Sequence, residues 1–133
     1  MEGSASHTTR SVIVEFSVPI RVESVNRTRN CHWSKRHKET KAHQTAVFNS
    51  WLAYIPGSQR QRIKAAARDG VKVTMTRVGH RQLDSDNLAG ACKAVRDAVA
   101  HFLEIDDGDT KHQWAYRGEH GPEYAVVVRI ETE

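Results

Sequence analysis

The sequence of 133 residues predicts an α+β fold, in which a small mixed β-sheet of about four strands carries two to three helices. Three segments alternate apolar and polar residues, which is the pattern of half-buried strands, and a fourth strand is predicted beside the last of them. The segments between them repeat apolar residues at helical spacing. The order of elements is β, α, a shorter α, β, α, β, β. The length suits one hydrophobic core, so we predict a flexible tail at 1–10 and a single domain at 11–133.

The first half of the chain contains two predicted strands with two helices between them. Pro19 ends the first strand, Pro56–Gly57 separates the helices, and Gly70 closes the second helix. The predicted elements are a strand at 11–18, helices at about 36–54 and 59–70, and a strand at 71–78.

The second half begins with a helix predicted from about Asn87 to Leu103, where apolar residues follow helical spacing over four turns. Two strands follow, at about 110–117 and 123–131. The Gly-rich segment between them, "GEHGP", predicts that they form a hairpin. No apolar run approaches the roughly 20 residues that span a bilayer.

The charges are unevenly distributed along a chain of net charge +4. Residues 21–72 contain twelve Lys and Arg against three acids, whereas residues 84–109 contain seven acids against two bases. This asymmetry favours a protein that binds a polyanion and holds a cation within the same surface. A solvated charged surface is the alternative interpretation.

Two aspartates, Asp84 and Asp86, immediately precede the predicted helix. In an extended approach, residues two apart point the same way, so both carboxylates could face one point. The alternative is helix capping. An Asp at a helix start accepts hydrogen bonds from the exposed backbone N–H groups and stabilises the helix by about 1 kcal/mol.

A second group of acids, in "EIDDGD" (104–109), follows the C-terminal end of the same helix. The helix dipole disfavours carboxylates there, and the Asp-Gly turn accounts for only one of them. We therefore expect a cation to neutralise their repulsion, and carboxylate ligands favour Mg²⁺ or Mn²⁺ over Zn²⁺.

One face of the predicted helix carries Asp86, Gly90, Lys93 and Asp97, opposite its apolar face. Gly90 leaves room there for a ligand, at a cost of about 1 kcal/mol in helix stability. Lys93 and Asp97 could instead form an ordinary ion pair at i, i+4 spacing.

These residues together resemble a known family, the RusA family of Holliday junction resolvases, which are small dimeric endonucleases typical of phages and prophages. The specific part of the resemblance is the pattern Asp84-x-Asp86-Asn87-Leu88, then a helix with Lys93 and Asp97, then Asp106-Asp107. The first strand with its Pro19 and the following loop with Asn26 also match. The resemblance implies a RusA-like domain that resolves four-way DNA junctions by paired hydrolytic nicks.

The resemblance also assigns roles to the acids. The family's three essential acidic positions fall on Asp84, Asp86 and Asp107, which would bind Mg²⁺ or Mn²⁺, with Asp106 as an alternate ligand. The family's catalytic lysine falls on Gly90, and Lys93, about one turn further, would take its place near the scissile phosphate. Because a straight helix from 88 to 103 is about 24 Å long, either the chain folds Asp107 back or a second subunit supplies one set of acids.

The partners expected from this interpretation are branched DNA, four-way junctions above all, and a second copy of the chain in a homodimer. The DNA-binding residues would be cationic, amide or stacking side chains in the basic segment. They are Arg21, Asn26, Arg27, Arg29, Trp33, Lys35, Arg36, Lys38 and Lys41, with His32 as a further stacking candidate.

Three alternatives remain at this point. The protein could bind DNA structures without efficient cleavage, as the missing lysine at Gly90 allows, or act on other branched DNA such as flaps and forks. The basic segment could be a solvated surface, and its histidines match no zinc spacing. Cys31 and Cys92 also lack metal spacing, so we expect a reducing cytoplasm, which the family resemblance implies is that of a bacterial host of a phage or prophage.

Overall fold

A computed structural model describes residues 11–23 and 33–132. The predicted α+β class with a four-stranded mixed sheet is confirmed, while the predicted tail at 1–10 lies outside the described residues. No helix in these ranges has the length and apolar character needed to cross a membrane. The elements are β1 Ile13–Val18, α1 Trp33–Tyr54, α2 Gly57–Ala67, β2 Val71–Gly79, α3 Ser85–Ala91, α4 Lys93–Leu103, β3 Gln113–His120 and β4 Ala125–Thr132.

The strand order in the sheet is β1-β4-β2-β3. β4 pairs antiparallel with both β1 and β2, and β2 pairs parallel with β3. Alternate residues of β1, β2 and β4 are buried, and they form one core with the helices. β1, β2 and β3 run in the same direction, so their C-terminal residues lie at the same end of the sheet. The segment leading to Asp84 follows β2 and leaves from that end.

Three aromatic rings join α1, α4 and β1 in the core. Trp51 of α1 stacks on Phe102 of α4, with ring centroids 4.2 Å apart and planes 13° from parallel. Phe16 of β1 lies tilted against Trp51 at 6.1 Å. Such pairs add about 0.5–1.5 kcal/mol beyond the burial of their area, so they fix α4 against α1 and thereby orient the helix that carries the candidate site.

The predicted hairpin between the last two strands is wrong, because β2 lies between β3 and β4. The connection from β3 to β4 crosses the end of β2, where the Gly121 N–H donates to the Gly79 carbonyl at 3.0 Å. A Cβ atom at Gly121 would lie 2.6 Å from Cγ1 of Val78. Glycine is therefore required for a close crossing over a strand, and not for a tight hairpin turn.

The single helix predicted from Asn87 to Leu103 is also wrong, since two helices, α3 and α4, meet at Cys92. Cys92 has φ −93° and ψ 7°, and its N–H bonds to the carbonyls of Gly90 and Leu88 in a tightened turn. Gly90, two residues earlier, lowers the helical propensity at this point. The break raises the number of helices among the described residues to four.

Candidate functional site

Asp84 caps the N-terminus of α3. Its backbone is extended, with φ −70° and ψ 171°, and its carboxylate accepts the N–H of Asn87 at 2.9 Å. Asp86 is exposed in the first helical turn, where its charge complements the helix dipole. The expectation that both aspartates lie on an extended approach is wrong, because α3 already begins at Ser85; the capping interpretation of Asp84 is confirmed.

Of the four acids that follow α4, two accept hydrogen bonds within their own turn and one pairs with a lysine of α2. Glu104, the C-cap of α4 with a left-handed φ of 58°, bonds to Lys64 Nζ at 2.7 Å, and this hydrogen bond lowers the pKa of Glu104. Asp106 accepts the N–H of Gly108 at 2.9 Å. Asp109 accepts the N–H of Lys111 at 3.1 Å. These partners offset part of the repulsion among the acids, and a cation bound to this segment stays a prediction.

Asp107 has a different environment, because it contacts the side chain of Arg96 on α4. Arg96 Nε donates to Asp107 Oδ2 at 3.2 Å, and another guanidinium nitrogen donates to the Asp107 carbonyl at 2.8 Å. The remaining nitrogen donates to the Tyr116 hydroxyl at 2.8 Å, and the guanidinium lies 4.7 Å above the Trp114 ring. Desolvation opposes the charge on Arg96, but the Tyr116 and Asp107 interactions outweigh it and raise its pKa.

This contact folds the segment after α4 back along the helix. Arg96 precedes the end of α4 at Leu103 by seven residues, which is about 10 Å at 1.5 Å per residue. The same strand that meets Arg96 through Tyr116 continues to Gly118, where an added Cβ would lie 2.8 Å from Oε1 of Gln82. The edge strand β3 therefore contacts Arg96, which bonds to Asp107, and also Gln82, which lies two residues before Asp84.

Within 11–23 and 33–132, no three His, Cys, Asp or Glu side chains are grouped closely enough to hold a metal ion. The donor chemistry nevertheless suits a hard cation with few protein ligands, because Mg²⁺ is usually bound by one or two carboxylates together with water and substrate phosphate. Asp84 and Asp107 each use one carboxylate oxygen in the bonds described above, and their other oxygen makes no hydrogen bond to residues 11–23 or 33–132. Asp86 is exposed beside the cap.

Lys93, the candidate for the lysine role, forms an ion pair with Asp97 in which Nζ and Oδ2 are 3.2 Å apart. The ordinary i, i+4 interpretation is confirmed. The pair borders an open groove of about 480 Å³ between the start of α1 and the junction of α3 with α4. Trp33 and Arg36 line it from α1, and Gly90 lines it from α3. Cations and carboxylates are mixed along this groove.

The predicted DNA-binding residues fall in three places. Asn26, Arg27, Arg29 and the stacking candidate His32 lie outside the described residues. On α1, Trp33 is 67% exposed, and Lys35, Lys38 and Lys41 are exposed at a spacing of three. Arg36 is half-buried, and its Nε has no hydrogen-bond partner among the described residues. Arg21 bonds to Glu23 and stacks over Tyr124 at 4.4 Å.

Three residues that surround Asp107 are absent from the sequence-based predictions: Arg96, Trp114 and Tyr116. Residues 84–109 contain seven acids and only two Lys or Arg residues, of which Arg96 is one. This imbalance was a signal that Arg96 has an acidic partner. Trp114 and Tyr116 alternate along β3 and therefore share a face. No sequence pattern indicated that this face would receive the segment folded back from the end of α4.

Comparison with known proteins assigns the chain to no family, since neither a protein-family model nor a curated protein matches it.

Proposed function

We propose that the protein is a metal-dependent endonuclease that resolves four-way DNA junctions by paired hydrolytic nicks. The observation that carries this proposal is the return of Asp107 along α4 to the face of β3 that also meets Gln82. Acids that are 21 or more residues apart in sequence thereby approach the same edge strand. This supports the proposal, because a phosphodiester hydrolase of the RusA kind would need its essential acids on neighbouring segments.

The proposed cofactor is Mg²⁺ or Mn²⁺, held by Asp84, Asp86 and Asp107 with Asp106 as an alternate ligand. When bound, such an ion polarises the phosphate and lowers the pKa of a coordinated water. The second Asp106 oxygen is free of the turn bond to Gly108, so this residue can serve as the alternate without unfolding its turn. Mg²⁺ is usually bound by only one or two protein carboxylates. Not all of these aspartates need bind at once, and the remaining ligands of the ion would be water and DNA.

Lys93 would stabilise charge on the scissile phosphate. Its ion pair with Asp97 is on the surface, and the Lys93 side chain is 75% exposed. Exposed pairs at this spacing contribute only about 0.3–0.5 kcal/mol, so an incoming phosphate can replace Asp97 as the partner of Lys93. The neighbouring groove and the exposed lysines of α1 would then carry the adjoining strand.

The proposal is tested by nicking of a synthetic four-way junction with each strand labelled in turn, in Mg²⁺, in Mn²⁺ and in EDTA. We expect paired, metal-dependent nicks that Asp86→Asn abolishes or strongly reduces, because the variant removes a ligand charge for the metal ion. Asp69→Asn is the matched control, because Asp69 is an exposed acid after α2. Equal nicking by wild type and Asp86→Asn would contradict the proposal.

One alternative function has specific support: a protein that binds DNA junctions without cutting them. It is favoured by Gly90 at the lysine position and by the lack of a three-donor group in the described part of the chain. In that case the junction would bind with similar affinity in Mg²⁺ and in EDTA, and no nick would form at any concentration of divalent ion. Flaps and replication forks in the same assay would identify a nuclease for other branched DNA.

A homodimer is part of the proposal, because two symmetric nicks need two sites related by a two-fold axis. Multi-angle light scattering during gel filtration measures this directly. We expect a mass of twice 15.0 kDa at micromolar concentration, and a strictly monomeric protein, with and without junction DNA, would contradict this part.

A further inference from the structure

We propose that Arg96 is a positioning residue that holds the Asp107 carboxylate in place for metal binding, an inference that rests on the proposed function. Arg96 does not contact the substrate in this proposal. It acts through Asp107 alone, by fixing which acid of the Asp106–Asp107 pair faces β3 and which carboxylate oxygen stays available.

The geometry of the guanidinium carries this inference. Its nitrogens donate to a side-chain oxygen of Asp107, to the carbonyl of the same residue and to the Tyr116 hydroxyl. Two bonds to one residue, one of them to the backbone, fix the position of Asp107 and the direction of its side chain. The bond to Tyr116 and the stacking over Trp114 fix the guanidinium itself.

The contrast with Asp106 shows why this assignment is specific. Asp106 turns its carboxylate to the N–H of Gly108, two residues ahead in its own turn. Asp107 turns its carboxylate to a helix eleven residues earlier in the chain. Neighbouring acids thus point to different partners, and Arg96 is the group that selects Asp107 for the face shared with β3.

The bond from Arg96 uses Oδ2 of Asp107 and leaves Oδ1 for another partner. A carboxylate has about four lone-pair directions, so one oxygen can accept from arginine while the other binds a cation. Outer partners of this kind orient metal ligands, and their loss typically weakens metal affinity 10–100-fold. A merely structural contact would change stability without changing metal affinity.

The test measures Mn²⁺ binding to the full chain. Electron paramagnetic resonance of the free ion reports how much Mn²⁺ stays unbound. We expect Arg96→Met to weaken binding about tenfold and Arg96→Lys to give an intermediate loss, because lysine keeps the charge but lacks the planar fork that directs the guanidinium donors. Arg62→Met is the control, since Arg62 is exposed on α2 far along the chain from the acids. Binding by Arg96→Met as tight as wild type would overturn the inference.

A double-mutant cycle separates action through Asp107 from a general effect. If Arg96 acts through Asp107, Arg96→Met combined with Asp107→Asn binds Mn²⁺ as weakly as Asp107→Asn alone. Losses that multiply would overturn the inference. If the Arg96 variants do not fold, Tyr116→Phe is the substitute, because it removes only the bond to the Tyr116 hydroxyl. We expect it to weaken Mn²⁺ binding by a smaller factor. Unchanged Mn²⁺ affinity in Tyr116→Phe would then overturn the inference.

The outcome for this inference is distinguishable from that for the proposed function. Metal-dependent nicking by wild type, together with unaltered Mn²⁺ binding in the Arg96 variants, overturns only the role of Arg96. Absence of both nicking and Mn²⁺ binding in wild type overturns the proposed function and this inference together.

Discussion

The Asp84 carboxylate accepts the backbone N–H of Asn87 at 2.9 Å, so this residue ends the loop after β2 and begins α3. One oxygen completes the helix cap, and the other is available to a metal ion. The same side chain therefore has a structural role that is established by its geometry and a catalytic role that is proposed. Substitution can separate the two, because asparagine caps a helix about as well as aspartate but carries no charge.

We predict that Asp84→Asn keeps the stability of the protein and loses nicking, whereas Asp84→Ala loses both. The alanine variant lacks the cap and should be about 1 kcal/mol less stable. Urea unfolding measures the first effect and junction nicking the second. Nicking at the wild-type rate by Asp84→Asn would leave Asp84 with capping as its only role.

A lysine at position 90 should raise the nicking rate. Gly90→Lys restores the cation that the resemblance places one turn after Asp86, on the face that borders the groove. Lysine also has a higher helical propensity than glycine, by roughly 0.5–1 kcal/mol. Gly90→Ala is the control, because it supplies the propensity without the charge. A gain in rate that is equal in both variants would mean that helix stability, and not the cation, is responsible.

The exposed lysines of α1 should contribute salt-dependent DNA affinity. Each phosphate contact adds about 0.9 to the slope of log affinity against log salt concentration for duplex DNA. Lys35→Gln and Lys38→Gln together should lower that slope by roughly 1–2, measured by fluorescence anisotropy of a labelled junction in EDTA. Arg62→Gln serves as the control on α2. A slope unchanged by the lysine substitutions would show that this row of α1 is a solvated surface.

The buried thiol at the junction of α3 and α4 should make stability depend on alkaline pH. Burial raises the pKa of Cys92 from 9.0 to about 11, an effect that the nearby charge of Arg77 opposes. Because the folded pKa is higher than the unfolded one, the stabilisation is complete below pH 9 and is lost as the pH rises from about 9 to about 11.

The size of this effect is roughly 2–3 kcal/mol, at 1.36 kcal/mol per pKa unit. Urea midpoints from pH 8 to 11 measure it, with Cys92→Ala as the comparison, since alanine fits the site but does not titrate. We expect the wild-type free energy of unfolding to fall more steeply than that of Cys92→Ala. Parallel curves would contradict the assignment.

The strands could be predicted from the sequence because each of β1, β2 and β4 alternates between the core and the opposite face. Val126 and Val128 are fully buried, as that alternation requires. Their partners could not be predicted in the same way. The short segment between β3 and β4 predicts a hairpin, yet it crosses β2, and only the close approach of Gly121 to Val78 explains why a glycine stands there.

The acids of the candidate site could be singled out from the sequence, but the side chains that surround Asp107 and the geometry of the site could not. Acids at 84–86 and 104–109 stand out by their charge, but local sequence does not specify their partners. Glu104 bonds to Lys64, forty residues earlier, and Asp107 bonds to Arg96 across a reversed chain. Both contacts depend on how α2, α4 and β3 pack, which is a tertiary property that no window of neighbouring residues contains.

The central claim is that a divalent ion binds at Asp84, Asp86 and Asp107 when branched DNA is present. Anomalous scattering from a crystal grown with Mn²⁺ and a four-way junction measures this most directly. We predict a peak about 2.0–2.2 Å from carboxylate oxygens of Asp86 and of Asp84, Asp107 or both, as expected for a small hard cation. Bound junction DNA with no peak near these carboxylates would contradict it.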